Sequence, residues 1–376
     1  MRAESALHFR GLCGGEKQAT SRAMHAEPAT ILPSSMGGPV VFINLWPQSG
    51  MKHYSESLVH ALAPGAEVLY VRNYESGVPV EALRVKLDPV RPGSWGDGWR
   101  LVRTILRRRP RVIHLNSELP ILLPLFPLFA FFNSVITLHD AVPHEGERFG
   151  KRVFMRLHLF LVFFFLRKVI VHSEAIRAQL PAFLRSRTHV LPHINYQLWA
   201  QAKQPPPAEG PFTVLFFGRL LPYKGLEYLL AAFRRLDPAR FSLLIAGEGD
   251  LPADVGALPN VRVINRFIGD DDLPLVFNQA HVVALPYVAA SQSGVAYMAL
   301  AFGRPVVATR VGGLGDVVED DFNGFLVEPR SEEQLAAALQ RMADSAVLAR
   351  LAENVQRQNV SADADIRARL LEVYRA

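Results

Sequence analysis

Cysteine is almost absent from this 376-residue sequence, since Cys13 is the only one. A single thiol excludes an intramolecular disulfide and is compatible with a reducing cytosol. Zinc-binding spacings and RNA-binding signatures are absent as well, so the net charge of +6 gives only weak support to a nucleic-acid-binding protein. The sequence also lacks the G-x-G-x-x-G fingerprint that a dinucleotide-binding dehydrogenase would carry after its first strand.

No apolar run in the sequence reaches the roughly 20 uninterrupted residues that a membrane-spanning helix needs. Residues 119–132 are interrupted by three prolines, and residues 153–166 contain five phenylalanines. The simpler interpretation of 153–166 is a helix buried against a sheet. The alternative is a monotopic surface that dips into the lipid interface. The cations beside this segment are Arg152, Arg156, Arg167 and Lys168.

Apolar strand-like segments alternate with helical patterns over most of the chain, which is typical of α/β proteins with parallel sheets. The predicted strands of the first half are Val40–Leu45, Val68–Val71, Val112–Leu115, Val135–Leu138 and Lys168–Val171. The predicted strands of the second half are Thr213–Phe217, Ser242–Ala246, Val261–Ile264, His281–Leu285, Pro305–Ala308 and Gly324–Val327.

The domain boundaries follow from composition. Residues 1–36 lack periodicity and an apolar signal-peptide core, so we expect a mobile N-terminal extension. A proline-rich, semi-rigid linker at 198–211 separates two predicted Rossmann-like domains, at 37–197 and 212–360. A ligand is expected in the cleft between them. Residues 347–376 are predicted to be helical, and about 361–376 are expected to return to the first domain.

The segment from Val214 to Lys224 carries the clearest ligand-binding pattern. Its four apolar residues suit a buried strand, which Gly218 ends. Arg219 and Lys224 follow the carboxyl end of that strand, where open parallel sheets bind ligands. A guanidinium fork and a lysine ammonium suit a diphosphate group, although solvated loop residues are the simpler explanation of isolated cations.

Three other features are candidates on weaker grounds. Gly50 lies in the turn after the first strand, where a glycine is often needed only for backbone geometry. His139 follows a buried strand and is expected at the carboxyl edge of the sheet, with the Asp140 carboxylate as a neighbour that could steady it. Asp270 to Asp272 suggest a metal cluster at first sight, but we interpret them as the N-terminal cap of a helix.

Several phrases of the second half occur together in a specific order. They are Gly218–Leu220, Lys224-Gly225, Ala246–Gly249, Asn260-Val261, Phe267–Gly269, Leu285–Tyr287, Ala301–Thr309, Val311–Gly313 and Asn323–Val327. In this order they resemble the family 4 retaining glycosyltransferases of the GT-B type, closely over about 190–330 and more loosely over 39–190. The resemblance implies an α/β fold with two Rossmann-like domains whose parallel sheets face a central cleft. It also implies a nucleotide-diphosphate sugar, UDP- or GDP-linked, held mainly by the second domain, with no metal and no other cofactor.

Carried onto this chain, the resemblance implies that Arg219 and Lys224, beside Gly218, bind the diphosphate and stabilise charge on the departing phosphate. Backbone N–H groups at a helix start are expected to contact the same phosphates. The residues that would supply them are Ser293, Gly294 and Val295. The residues implied to line the base pocket are Arg266, Phe267 and Ile268.

The resemblance further implies that His139 contacts the donor sugar near the reacting carbon, and that Gly50 lets the backbone of the first domain approach the donor. An acceptor hydroxyl would attack from the front face with retention of configuration, and the leaving phosphate would take up its proton.

The sequence departs from the family at two glutamates that lie eight positions apart. Met298 stands where the second, ribose-binding glutamate is expected, and Ala290 or Ser291 stands at the first. Ser291 or Gln292 could hydrogen-bond sugar hydroxyls without a charge. Losing such charged hydrogen bonds is expected to cost about 1.5–3 kcal/mol each. This departure leaves three explanations. Another group supplies the contact to the ribose, donor binding is weak, or the protein is not an active transferase.

The leading functional hypothesis is a retaining hexosyltransferase that extends a lipid-linked glycan in bacterial polysaccharide assembly. It would be cytoplasmic, with peripheral association at the inner face of the cytoplasmic membrane, and would bind no nucleic acid. The alternatives are a transferase with a soluble acceptor and a non-catalytic nucleotide-sugar-binding homologue in a polysaccharide assembly complex.

Overall fold

A computed structural model of the chain describes residues 38–46, 49–85, 95–116, 120–139, 149–253, 255–290 and 292–376. Two parallel sheets with helices packed against them make up this part of the chain. The α/β prediction of two parallel-sheet domains is therefore confirmed. The predicted N-terminal extension, residues 1–36, lies outside the described residues.

The first sheet is built from seven short strands. They are β1 (Val40–Ile43), β2 (Val68–Arg72), β3 (Glu81–Arg84), β4 (Val112–Leu115), β5 (Asn133–Thr137), β6 (Lys168–Val171) and β7 (Thr188–Val190). Their order across the sheet is β3–β2–β1–β4–β5–β6–β7, and every pair is parallel. The five predicted strands are confirmed and occupy the interior of the sheet. The two edge strands were not predicted, because β3 is mostly exposed and charged and β7 has only three residues.

The second sheet has six strands. They are β8 (Phe212–Phe217), β9 (Phe241–Ala246), β10 (Val261–Ile264), β11 (Val282–Leu285), β12 (Val306–Thr309) and β13 (Gly324–Val327). Their order is β10–β9–β8–β11–β12–β13, again all parallel. All six predicted strands are confirmed, with ends displaced by no more than one residue. Buried apolar residues fill most positions of β9, β11 and β12, as expected where helices cover both faces of a parallel sheet.

The helices follow the strands in the alternating pattern. Those of the first half are α1 (Ser49–Leu62), α2 (Trp95–Arg108), α3 (Phe126–Phe129), α4 (Phe149–Phe165), α5 (Glu174–Gln179) and α6 (Ala182–Arg185). Those of the second half are α7 (Leu226–Phe233), α8 (Leu273–Phe277), α9 (Gly294–Ala301), α10 (Glu332–Met342) and α11 (Ser345–Arg375). Short 3-10 segments lie at Pro120–Leu125, Gln197–Trp199, Pro222–Lys224, Val255–Ala257, Asp270–Asp272 and Gly312–Asp316.

The last helix, α11, confirms the helical prediction for the C-terminal segment and ends against the first sheet. It begins at the cap residue Asp344, whose carboxylate accepts hydrogen bonds from two backbone N–H groups. At its other end the Tyr374 hydroxyl lies 2.6 Å from Nδ1 of His114, and Asn133 donates to the Tyr374 carbonyl. Lys168 donates to the Val373 carbonyl at 2.7 Å. The C-terminus is thus attached to the first sheet although it follows the second in sequence.

The apolar segment 153–166 forms most of α4 and has two different faces. Leu159 and Val162 are buried in the core, whereas Leu157, Phe160 and Phe164 are 50–58% exposed. The buried-helix interpretation therefore holds for one face only. Among the described residues, no helix combines the length and the apolar character needed to cross a membrane.

Candidate functional site

A cavity of about 630 Å³ opens between the carboxyl ends of the two sheets. Its wall on the second-domain side begins where β8 ends, at Gly218 and Arg219. The first domain contributes the turn after β1 and the first turn of α1. The predicted site residues that line this cavity are Gly50, Gly218, Arg219, Phe267, Ile268, Gly294 and Val295.

Lys224 is buried directly behind the end of β8. Its ammonium donates to the Phe217 carbonyl at 3.2 Å and lies 5.4 Å from the centre of the Tyr287 ring. Gly218 has a φ of +98°, and a Cβ at this position would come within 2.7 Å of the ammonium. Glycine therefore serves both the turn and the close approach of the cation. Burial, with a smaller contribution from Arg219, lowers the pKa of Lys224 to about 8.

The start of α9 faces the same cavity. Gly294 and Val295 are its first two residues, and both line the cavity. Ser293 caps this end of the helix with extended backbone, but its side chain accepts no capping hydrogen bond and instead lies 3.4 Å from the Tyr287 hydroxyl. The first N–H groups of a helix lack intrahelical acceptors, so this end of α9 can bind an anion.

The structure does not bring every predicted residue to the cavity wall. Arg266 was expected to line the base pocket, but it does not line the cavity. Its guanidinium is exposed and paired with Asp272 at 2.7 Å. Gln292 and Ser293 precede the wall residues but do not line it. Ser291 lies outside the described residues.

His139 lies at the carboxyl edge of the first sheet, as its position after β5 suggests, but not in the wall of the cavity. Its Nε2 lies 3.0 Å from Oδ1 of Asn116, the residue that follows β4. The predicted neighbour Asp140 lies outside the described residues. Burial, with a smaller contribution from nearby histidines, holds the pKa of His139 well below its usual value, so the ring is neutral.

An ion pair joins the two domains beside the cavity. Asp270 accepts hydrogen bonds from Lys52 at 2.5 Å and from His53 at 2.7 Å, both in the first turns of α1. Burial opposes ionisation of Asp270, but these two hydrogen bonds outweigh it and lower the pKa of the carboxyl to about 2. Asp272 occupies the N-cap position of α8, as the interpretation of Asp270–Asp272 as a helix N-terminal cap predicts, but its side chain makes no capping hydrogen bond.

Comparisons with known proteins identify the family. Residues 211–345 match the family described as glycosyl transferases group 1, and residues 55–194 match glycosyltransferase family 4. Together the two matches cover more than half of the chain. The chain belongs to these glycosyltransferases.

The family assignment is supported by individual relatives. Over 187 residues the chain is 35% identical to D-inositol 3-phosphate glycosyltransferase of Salinispora arenicola, a match that covers 44% of this chain and 41% of the relative. The chain thus spans about two fifths of the length of that curated relative.

Two solved structures share the fold. HepE of Anabaena, crystallised with UDP and glucose, superposes with a TM-score of 0.68 at 17% identity, covering 90% of this chain and 99% of that one. WaaG, a glycosyltransferase involved in lipopolysaccharide biosynthesis, superposes with a TM-score of 0.59 at 19% identity, covering 87% and 98%. At these identities the likeness establishes the GT-B fold.

Met298 stands where the resemblance places the second, ribose-binding glutamate of the family. Met298 lies one turn after Gly294 on α9, lines the cavity and is 2% exposed. Its thioether cannot replace a carboxylate that accepts hydrogen bonds from two hydroxyls.

Sequence reasoning missed several residues of the cavity wall. The first domain adds Trp46, His53 and Tyr196, and the Tyr196 hydroxyl donates to the Gly50 carbonyl at 3.3 Å. Gly247 and Glu248 follow β9 and were seen only as a strand-end phrase. Gly247 and Glu248 could have been predicted as wall residues, because residues just after parallel strands gather at one edge of the sheet.

Proposed function

We propose that the chain is a retaining hexosyltransferase that moves a sugar from a nucleotide-diphosphate sugar to an acceptor hydroxyl. The observation that carries this proposal is that Arg219 and the open end of α9 line one interdomain cavity, with Lys224 buried directly behind the lining residue Gly218. Two cations and a helix N-terminus form a strong site for a diphosphate. In the proposal, residues 212–360 hold the donor and residues 37–197, with the end of α11, hold the acceptor.

The proposed chemistry needs only groups that the chain and its substrates supply. The acceptor oxygen forms a bond to the anomeric carbon on the face from which the diphosphate departs. The bond between that carbon and the phosphate oxygen breaks, and the departing phosphate takes up the proton of the acceptor. Arg219 and Lys224 stabilise the negative charge that develops on the phosphate. We assign no metal and no further cofactor to this step.

The donor in the proposal is UDP- or GDP-linked, and HepE, crystallised with UDP and glucose, makes a UDP-sugar the first choice. A thermal-shift and hydrolysis screen with EDTA and UDP-, GDP- and ADP-sugars tests this assignment. The expected result is stabilisation by one nucleotide sugar through ligand linkage. Arg219→Ala should weaken binding about 10- to 150-fold, the equivalent of about 1.5–3 kcal/mol for a charged hydrogen bond.

Arg240→Ala is the matched control, because this exposed arginine immediately precedes β9 at the opposite edge of the same sheet. Equal loss of binding in both variants would assign the effect to net charge. Binding unchanged by Arg219→Ala would contradict the proposed diphosphate site.

We further propose that the acceptor is lipid-linked and that the protein works at the inner face of the cytoplasmic membrane. The support is a continuous aromatic patch on α4 and α6, where Phe163 lies 5.3 Å from Phe164 and 5.0 Å from Phe183 between ring centres. Phe160 extends this patch at 4.6 Å from Phe164, and the guanidinium of Arg187 lies over Phe163. Exposed aromatic rings beside an arginine suit the interface of an anionic bilayer.

One sequence-based expectation about this surface changes. Lys168 was named among its cations, but its ammonium donates to the end of α11 and is therefore engaged within the protein. Arg167 is exposed beside it, whereas the side chains of Arg152 and Arg156 lie outside the described part of the chain.

Flotation with vesicles of phosphatidylglycerol and phosphatidylethanolamine tests the membrane assignment. The double variant Phe160→Ser and Phe164→Ser should remain at the bottom of the gradient while the unmodified protein floats. Leu275→Ser, which removes a 64% exposed apolar side chain from the second domain, is the control and should float. An unmodified protein that does not float would favour the alternative of a soluble acceptor.

A non-catalytic nucleotide-sugar-binding protein is the second candidate, and Met298 is the observation that favours it. In that case a nucleotide sugar would stabilise the protein, yet no hydrolysis or transfer would be detected with any acceptor. Detection of slow donor hydrolysis that is lost in Lys224→Met would exclude this candidate.

A further inference from the structure

Three histidines meet at the carboxyl edge of the first sheet. His139, His172 and His193 follow the ends of β5, β6 and β7, which are neighbours in the sheet. One ring nitrogen of each lies within 4.8 Å of the corresponding nitrogens of the other two. The sheet order therefore gathers side chains that are far apart in sequence.

In each of the three histidines one ring nitrogen is held by an oxygen. Nδ1 of His172 lies 3.0 Å from the Leu191 carbonyl, and Nδ1 of His193 lies 2.8 Å from the Ile194 carbonyl. Because a carbonyl oxygen can only accept, both Nδ1 atoms carry the proton and both Nε2 atoms carry a lone pair.

His139 is oriented in the same way through the opposite nitrogen. Its Nε2 lies 3.0 Å from Oδ1 of Asn116, whose amide group donates to Ser55. The hydrogen bond to Ser55 directs the amide oxygen of Asn116 toward the ring, so Nε2 of His139 donates and Nδ1 keeps its lone pair. Histidines that bind metals are anchored in this manner, with the non-ligating N–H donated to an oxygen.

One of these lone pairs lacks a partner within the described chain. Nε2 of His172 is buried and has no hydrogen-bond partner among the described residues. A buried polar atom of this kind is uncommon and calls for a bound water or ion, or another physical explanation. Imidazole binds metals in its neutral form, the form in which Nδ1 of His172 donates and Nε2 carries a lone pair.

We propose that His139, His172 and His193 form a binding site for a late transition-metal ion of the Zn²⁺ type. Three neutral imidazoles suit zinc, copper and nickel better than magnesium or calcium, which prefer oxygen ligands. Zinc–nitrogen bonds of about 2.1 Å in a tetrahedral site place the ligand nitrogens about 3.4 Å apart. Nitrogens separated by at most 4.8 Å reach this spacing through small side-chain rotations.

The site lies next to the contact between the domains. The ring of His193 stacks on Tyr297 of α9, with ring centres 4.0 Å apart and an angle of 15° between the planes. The Tyr54 ring packs against all three histidines, at 4.7–5.1 Å between ring centres. A bound ion would hold α9 against the first sheet through His193 and Tyr297. The proposed affinity for a metal ion does not depend on whether the chain transfers a sugar.

Zn²⁺ titration of the EDTA-treated, dialysed full chain, followed by calorimetry with a competing chelator, tests the proposal. The background variant is Cys13→Ser, which removes the only thiol. We expect one ion per chain, and Co²⁺ should give the intense visible absorption of a tetrahedral nitrogen site. His172→Gln and His193→Gln should each weaken binding by more than about 100-fold, since loss of an outer-shell partner alone costs about 10- to 100-fold.

Two further variants make the test sharper. Asn116→Ala leaves all three ligands in place but removes the acceptor of His139, so it should weaken binding about 10- to 100-fold. His60→Gln, at an exposed position of α1, should bind as the background does. Circular dichroism of the metal-free variants shows whether each is folded.

The proposal would be overturned if the background protein binds no Zn²⁺, or if folded His172→Gln and His193→Gln both bind it unchanged. In the first case the three rings are a structural aromatic cluster. In the second the metal binds elsewhere in the chain.

Discussion

The partly deprotonated state of Lys224 predicts that donor binding takes up a proton. Burial lowers the pKa of this ammonium to about 8, against an ordinary value of 10.5. In the absence of ligand its described hydrogen-bond acceptor is one carbonyl oxygen. A diphosphate supplies opposite charge, so the pKa of Lys224 should return toward its ordinary value when the donor binds. Binding therefore favours the protonated form, and donor affinity should fall as the pH rises through 8.

The size of the effect follows from linkage between protonation and binding. At pH 8 about half of the free protein carries a neutral Lys224, so about 0.5 proton should be taken up per donor bound. If the donor restores a pKa near 10.5, Kd should increase about fourfold between pH 6.5 and pH 8.5. At pH 6.5 Lys224 is already charged in the free protein, and the proton uptake should be close to zero.

Calorimetry with the nucleotide sugar selected by the donor screen measures both quantities. Titrations at pH 6.5, 7.5 and 8.5, each in two buffers with different ionisation enthalpies, separate the binding heat from the heat of proton transfer. Lys224→Met is the control, and it should bind more weakly with no dependence of Kd on pH over this range. A constant Kd with no proton uptake in the unmodified protein would refute the placement of the diphosphate against Lys224.

Three stability predictions concern contacts outside the diphosphate site. Asp270→Asn should lower the free energy of unfolding by about 1–2 kcal/mol in urea denaturation at pH 7, because Lys52 and His53 lose a charged acceptor. The stabilisation by the Asp270 carboxylate should be fully present above about pH 4 and disappear as the pH falls to 2. An unchanged urea midpoint of Asp270→Asn at pH 7 would show that solvent fully screens this ion pair. Gly247→Ala should cost more than about 2 kcal/mol, since its Cβ would lie 2.0 Å from the Gly218 carbonyl oxygen. Gly256→Ala, with no atom within 4 Å, is the control and should be nearly neutral. Tyr374→Phe should cost about 1–3 kcal/mol, because His114 is left with an unpaired buried nitrogen, and equal stability would argue against that hydrogen bond.

Apolar periodicity was sufficient to predict the strands that lie inside the two sheets. Interior strands of parallel sheets are covered on both faces and read as continuous apolar runs, as β1 and β11 do. The edge strand β3 carries two charges in four residues, so its apolar content gave no signal. Its pairing to β2 depends on backbone hydrogen bonds, which any sequence can make.

The cavity residues that come directly after a strand could be predicted from the sequence. Arg219 and Gly218 come immediately after β8, and their place at the sheet edge follows from the strand itself. The partners of Asp270 lie more than 200 residues away, so only the docking of the two domains could reveal that ion pair. The histidine cluster was hidden for a similar reason, because His172 and His193 are each unremarkable until β6 and β7 are known to be neighbours.

The cavity distributes its binding groups unevenly, and this bears on how a donor would be held. Gly218 has the Lys224 ammonium and Val295 of α9 as neighbours, and Arg219 follows it in the cavity wall, which is where the proposal places the diphosphate. One turn further along α9, buried Met298 presents an apolar thioether where the resemblance places a ribose-binding carboxylate. Charged hydrogen bonds are stronger than neutral ones, so under the proposed function the diphosphate contacts would supply most of the free energy of donor binding. Selection of the nucleotide would then depend on the shape of the wall around Phe267 and Ile268 rather than on a charged contact to the ribose.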